Sequence, residues 1–188
     1  MAASARSRRV ILALVAAAVV FGLVAGGCFF FYLPYVKAQE SQAQATRFLM
    51  DTSVDISAFG RDAETYVKQA FGEMARLEEV LSRHIVHSEV AKINSSAGEW
   101  VSVSEPTIEV ISLGLEIGEL TKGAFDITVG VLVSLWGFGT GDYKVPSSEE
   151  IAEALATIDY RKVEVDKAGK RVRIPEGSVL DLGGIAKG

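Results

Sequence analysis

The chain has 188 residues, a formal net charge of −5 and a single cysteine, which gives room for one domain of ordinary size. The charge is uneven: Arg6, Arg8 and Arg9 open the chain with no acid beside them, and setting those three aside from 19 basic residues against 24 acidic ones leaves the remainder near −8. An acidic domain without a basic stripe argues against nucleic acid as a partner, though not against nucleotides held by backbone amides and a metal ion, and one cysteine excludes a disulfide or thiolate metal site in the domain.

The three arginines precede an apolar run from Val10 to Val36 that is broken only by Pro34. It exceeds both the roughly 7–15 residues of a cleavable signal and the about 20 needed to span a bilayer. Residues 1–36 therefore read as a signal or anchor segment, with Arg on the cytoplasmic side and the domain outside. Phe29, Phe30, Phe31, Tyr32 and Tyr35 sit where an aromatic belt would meet the headgroups. Ala25-Gly26-Gly27-Cys28 also resembles a lipoprotein cleavage site, so a lipidated Cys28 and an uncleaved anchor both stand as readings. The expected location is the cell inner membrane, with the domain facing the periplasm or the outside.

Residues 37–46 are polar and read as a tether or a helical extension of the anchor. The expected domain is 47–188. Phe48 to Phe59 alternates, with Val54, Ile56 and Ala58 on one face, as a strand does. Arg61 to Ser82 carries apolar residues at three- and four-residue spacing and predicts a helix. His84 to Gly98 reads as loop with one helical turn, and Trp100–Val103 as a short strand. Ser104 is a candidate N-cap for a helix running to Thr121, with apolar residues around most of its circumference, and Gly123 supplies its stop.

Ala124 to Tyr143 is apolar, glycine-rich and holds two isolated acids. Ser147 and Glu150 form the signature of a capping box that opens another helix. Tyr160–Val165 and Arg171–Ile174 alternate around a polar turn and predict a hairpin. Val179–Leu182 reads as a further strand, after which Gly183-Gly184 turns toward a helix start. Hairpins with helices in separate blocks indicate an α+β class.

Two places invite chemistry. The turn after Asp181 exposes backbone N–H groups that could hold a phosphate beside Lys187, or is simply a tight turn. Asp126 is either a buried acid needing partners or a turn former bonded to nearby amides. His84 and His87, three apart, lack a third ligand for zinc.

Four segments in order carry a resemblance: Phe48-Leu49-Met50-Asp51-Thr52, Ser88-Glu89-Val90-Ala91-Lys92-Ile93-Asn94, Gly123 to Gly130 with Leu135-Trp136-Gly137-Phe138-Gly139, and Asp181-Leu182-Gly183-Gly184-Ile185-Ala186-Lys187-Gly188. From about Phe48 to its last residue the chain resembles the FAD:protein FMN transferase family, long described as thiamine-biosynthesis lipoproteins. The resemblance implies a T-fold-like α+β domain, with a mixed or antiparallel sheet and packed helices. It also implies a magnesium-dependent transfer of FMN from FAD to a Thr or Ser of a target flavoprotein, with release of AMP. The targets it implies are flavoproteins of membrane electron-transfer complexes. Met50, His84, Ala124, Phe125, Asp126, Asp181 and Lys187 would line the FAD site, and the Gly184 carbonyl would bind Mg2+. His84 stands where relatives usually carry an aromatic residue. The family's magnesium-binding Asp and Thr are expected beyond Gly188. The domain is thus expected to be incomplete at its C-terminus and inactive alone, and no residue here is assigned as catalytic. The competing readings are an extracytoplasmic FAD-binding module without transfer activity and an anchored interaction domain with no ligand.

Overall fold

The computed structural model describes residues 17–33, 36 and 41–187. Arg6, Arg8, Arg9 and the start of the apolar run lie outside these residues. Residues 17–33 form helix α1. Among the described residues no helix is long and apolar enough to cross a membrane, and the expected 1–36 segment lies partly outside those residues.

Strands β1 (Gln42–Leu49) and β2 (Thr52–Phe59) form a two-stranded sheet. β2 partly buries Val54, Ile56 and Ala58, the alternation expected of it. β1 is a difference: residues 42–46, expected as a tether, are extended and paired. The two-residue connection explains why the hairpin was not anticipated. Met50 and Asp51 both take positive φ, at 51° and 57°, as a tight hairpin turn of the primed type demands. Asn-Gly or Asp-Gly normally signals such a turn, and Met-Asp does not.

Helix α2 (Ala63–Leu81) follows, then α3 (Glu89–Ser95), β3 (Val101–Ser102) and α4 (Glu105–Leu120). Next come α5 (Gly130–Leu135), α6 (Ser148–Leu155), β4 (Glu164–Asp166) and β5 (Arg171–Arg173). β5 is the centre of an antiparallel sheet in the order β3-β5-β4, with Val172 opposite both Val101 and Val165. On one face of β5, Arg171 and Arg173 lie 4.8 and 4.9 Å from the centroid of the Trp100 ring. The α+β class is as expected.

The chain divides into two compact units, Met1–Arg47 with Asp55–Ala70 and Phe48–Val54 with Phe71–Gly188. The second holds a continuous apolar core that includes Leu81, Val90, Ile93, Ile108, Ile111, Ile127, Val172, Ile174, Leu180 and Leu182. Leu180 and Leu182 are fully enclosed, although 179–182 is not a full strand. Its only bridge is a parallel one between Val179 and Val129.

Helix α4, apolar around most of its circumference, was expected to be buried. Instead it buries one face and leaves Leu113 47% and Leu120 75% exposed. On the buried face, Gly114 and Gly118 let the helix sit close to its neighbours. A Cβ on Gly114 would fall 2.6 Å from Ile127 Cγ2, and one on Gly118 would fall 2.9 Å from Tyr160 Cγ. Helix α6 starts with the predicted capping box: Ser147 Oγ accepts from Glu150 N, and Glu150 returns to Ser147 N.

Three surface carboxylates link this fold to pH. The Ser147 backbone N–H and Lys144 hold Glu150 below its ordinary value. The Gly169 amide and Arg171 do the same for Asp166, and Arg173 does so for Glu164. A depressed folded value stabilises the fold above the unfolded value of about 4, and that contribution is lost as pH falls through the folded values. Thermal melts should therefore show a lower Tm near pH 3 than near pH 6, with a smaller drop in Glu150→Gln. A Tm that is flat across this window would contradict the assignment.

Candidate functional site

The second unit contains a cavity of about 410 Å³, within the roughly 300–1,000 Å³ of small-molecule pockets. It is built where the β1–β2 turn, the end of α2, the loop after α5 and the turn after Asp181 come together. Met50, His84, Asp181 and Lys187, all anticipated, line it, joined by Glu78, Arg83, Phe138 and Gly139.

Met50 is positioned by backbone. Its positive φ is uncommon for a side chain of this size, and its N–H donates to Glu78 Oε1 at 2.8 Å. That bond ties the turn to α2, so the helix sets where Met50 stands. The glycines of the 135–139 segment do the equivalent on the opposite side. Gly137 has φ +77°, and a Cβ there would fall 2.1 Å from the Asp142 carbonyl oxygen. Only glycine allows the loop to fold back so tightly. Phe138 and Gly139 are thereby delivered to the cavity, and a Cβ on Gly139 would fall 3.0 Å from His84 Cε1.

The segment around Asp181 is held from both edges. On one, Asp181 N donates to Ile127 O at 2.8 Å and Gly130 N to Val179 O at 3.0 Å. On the other, Asn94 acts as a surrogate strand. Its Oδ1 accepts from Leu180 N at 2.7 Å and its Nδ2 donates to Leu180 O at 3.0 Å. Asp181 Oδ1 then accepts from Gly183 N at 2.9 Å, closing the turn. Beyond it, Ile185 N and Ala186 N both donate to Leu182 O, a single helical turn that brings Lys187 to the rim.

The Ser88–Asn94 motif is therefore a positioning device. Ser88 Oγ caps α3 by accepting from Ala91 N at 2.9 Å. Glu89 accepts from Ser104 N, Ser104 Oγ and Thr107 Oγ1. Ser104 thus marks the start of α4 as expected, but Glu89, not a capping bond from Ser104, receives its polar groups.

Ala124, Phe125 and Asp126, also anticipated as FAD-site residues, are not in the cavity lining. Asp126 closes its own turn and also meets a distant backbone amide. Its Oδ1 accepts from Thr128 N and Oγ1 at 2.8 and 2.6 Å, and its Oδ2 accepts from Tyr160 N at 2.9 Å. Phe125 approaches the glycine turn instead: a Cβ on Gly184 would lie 3.2 Å from Phe125 Cε2. His87 points away to an exposed pairing with Glu79 at 2.6 Å.

Arg83 and Glu78 were not anticipated. Both lie on or just after an amphipathic helix, where a charged residue ordinarily reads as solvated surface, and nothing in their spacing sets them apart. Arg83 has only 9% of its side chain exposed and lies with Nε 3.1 Å from Asp181 Oδ2.

The site is thus a partly apolar pocket in an α+β domain, with opposed charges in its wall and a glycine turn beside it. Residues 50–188 match the ApbE family, and the chain belongs to it. It is 31% identical over 142 residues to the FAD:protein FMN transferase of Klebsiella pneumoniae, covering 74% of this chain and 45% of that protein. It is 38% identical over 120 residues to the FAD:protein FMN transferase of Vibrio cholerae, covering 60% and 35%. Among solved structures, the ApbE protein of Thermotoga maritima superimposes with a TM-score of 0.75 at 39% identity, over 79% of this chain and 49% of that one. The flavin transferase ApbE of Vibrio cholerae gives 0.70 at 28%, over 78% and 50%. The chain thus spans about half the length of these structures and less than half of these sequence relatives.

Proposed function

We propose that this chain contributes the FAD pocket of a magnesium-dependent FAD:protein FMN transferase, which joins FMN through its phosphate to a Thr or Ser of a target flavoprotein and releases AMP. The observation that carries the reading is the meeting of Met50, His84, Asp181 and Lys187 around one cavity in a chain whose relatives bear that name. The roles follow from chemistry. Lys187, in the cavity wall beside the turn after Asp181, suits an anionic pyrophosphate. Met50, Leu81, Val133 and Phe138 offer apolar surface to a ring system. The targets are proposed to be flavoproteins of membrane electron-transfer complexes.

Mg2+ belongs to this proposal with Gly184 as one backbone ligand. Among the described residues no group of three or more His, Cys, Asp or Glu could hold a metal ion, and the Asp181 carboxylate is engaged by Arg83 and Gly183 N. These residues alone do not fit the oxygen-rich shell the ion requires, and no step is derived through it.

Titration with FAD, followed by flavin fluorescence, tests the binding half. Asp181→Ala should weaken binding roughly tenfold by freeing the turn, a cost of the size expected for one lost charged hydrogen bond. Gly184→Val should weaken it further, because the branched side chain must displace the Phe125 ring. If both variants bind like the parent, the turn has no ligand role. Binding without FMN transfer to a Thr-bearing target in the presence of Mg2+ would identify a FAD-binding module instead.

We propose also that the N-terminal segment anchors the domain at the inner membrane, facing the periplasm, with Arg6, Arg8 and Arg9 retained inside. Protease added outside spheroplasts should digest the domain, and full protection would overturn this topology. Cys28→Ser should leave attachment intact for an uncleaved anchor and block processing for a lipoprotein.

A further inference from the structure

Arg83 has no role assigned by the family resemblance, yet it makes more polar contacts than any other side chain of the cavity wall. Its Nε donates to His84 Nε2 at 3.3 Å and lies 3.1 Å from Asp181 Oδ2. Its Nη1 donates to Gly130 O at 3.2 Å and to Ser134 Oγ at 3.1 Å. One guanidinium therefore joins three separate parts of the chain: the end of α2, helix α5 and the turn at Asp181.

Burial makes these contacts consequential. The Arg83 and Asp181 side chains are only 9% and 17% exposed. A charge in such a place needs its partner, and removing one leaves the other uncompensated. The planar fork of arginine holds three hydrogen bonds and the Asp181 ion pair in fixed directions, which an ammonium on a flexible stem cannot. The cavity wall also carries Asp51 and Glu78 as further acids, with Lys187 as the other cation. Without Arg83 the wall would present three carboxylates and one lysine to an anionic ligand.

We propose that Arg83 is a positioning residue of the flavin pocket: it locks the Asp181 carboxylate and the His84 ring into one preoriented edge against which FAD binds. This rests on the FAD-binding reading above. Because an N–H of Arg83 points at His84 Nε2, the neutral ring is held as the tautomer with its proton on Nδ1. The ring is thereby fixed both in orientation and in the hydrogen bond it can offer. Preorganisation of this kind raises affinity by removing the cost of ordering the site on binding.

The test uses the full 188-residue chain in detergent, as parent, Arg83→Gln, Arg83→Lys, Asp181→Asn and the Gln/Asn double variant. Melting without FAD establishes which variants fold, and FAD affinity is read by flavin fluorescence. Arg83→Gln should weaken FAD binding roughly tenfold or more, as truncating one partner of a desolvated charge pair does. Arg83→Lys should recover part of the loss and serves in place of Gln should that variant not fold. The double variant should lose less than the two singles together, the mark of residues acting through one another. Side-chain 15N spectra should show His84 as the single Nδ1–H tautomer in the parent and a mixture in the variants, with His87→Gln to assign the signals. A merely structural role would move the melt and leave the affinity of the folded variants and the tautomer unchanged; that result overturns the proposal. A parent that fails to bind FAD overturns the flavin reading itself, and this role with it.

Discussion

Gly130→Ala is expected to destabilise the second unit by about 3 kcal/mol, the upper range for overpacking a tight interior. The added Cβ would fall 2.6 Å from the Val179 carbonyl oxygen and 2.7 Å from Val179 Cγ1. Neither can give way cheaply. The carbonyl is backbone and already accepts from Gly130 N, and Val129 bridges Val179 in the same ladder. The neighbouring strand segment would have to shift, carrying Asp181 with it, and the Gly130 carbonyl that receives Arg83 would move as well. Denaturant unfolding should show a fall in midpoint, and the folded fraction should bind FAD less tightly than the parent. Parental stability in Gly130→Ala would mean that the approach of α5 to Val179 is looser than the geometry here.

Asn94→Leu should cost a similar amount, about 2–4 kcal/mol, because it strands two backbone groups at once. Leu180 is fully buried, and both its N–H and its C=O are met by the Asn94 amide. Leucine keeps the branching at Cγ but is larger and apolar, so the loss combines the two hydrogen bonds with local overpacking. Asn94→Asp should recover only part, since a carboxylate accepts from Leu180 N but cannot donate to Leu180 O. The expected readout is a lowered midpoint in both variants, with Asp the milder, and slackened FAD binding through the turn at Asp181. Equal stability of parent and Asn94→Leu would show that water replaces the amide at no cost.

Local signals in the sequence carry most of the secondary structure. The helical periodicity of Arg61–Ser82 yields α2, the Ser147–Glu150 box starts α6 with both of its hydrogen bonds, and the alternation about residues 166–169 folds as the β4–β5 hairpin, although Tyr160–Lys162, expected in its first strand, forms a 3-10 helix. Such features depend on neighbours within a few residues, so they are legible without the fold. The hairpin at Met50–Asp51 is not, because its left-handed turn is made by residues that do not announce one and is held by Glu78, 28 positions away. The same limit governs the candidate site. The family resemblance brought Met50, His84, Asp181 and Lys187 to notice as a set, while Ala124, Phe125 and Asp126, implied by the same resemblance, are not among the residues lining that cavity. Asp126 could be read either as a needy buried acid or as a turn former, and the fold makes it both, through its local bonds to Thr128 and its distant bond to the Tyr160 amide. Arg83 was invisible for a physical reason. A charge at the end of an amphipathic helix belongs to solvent unless the rest of the chain encloses it, and that enclosure by Gly130, Ser134 and Asp181 exists only once segments about 50 and 100 residues further along have folded around it.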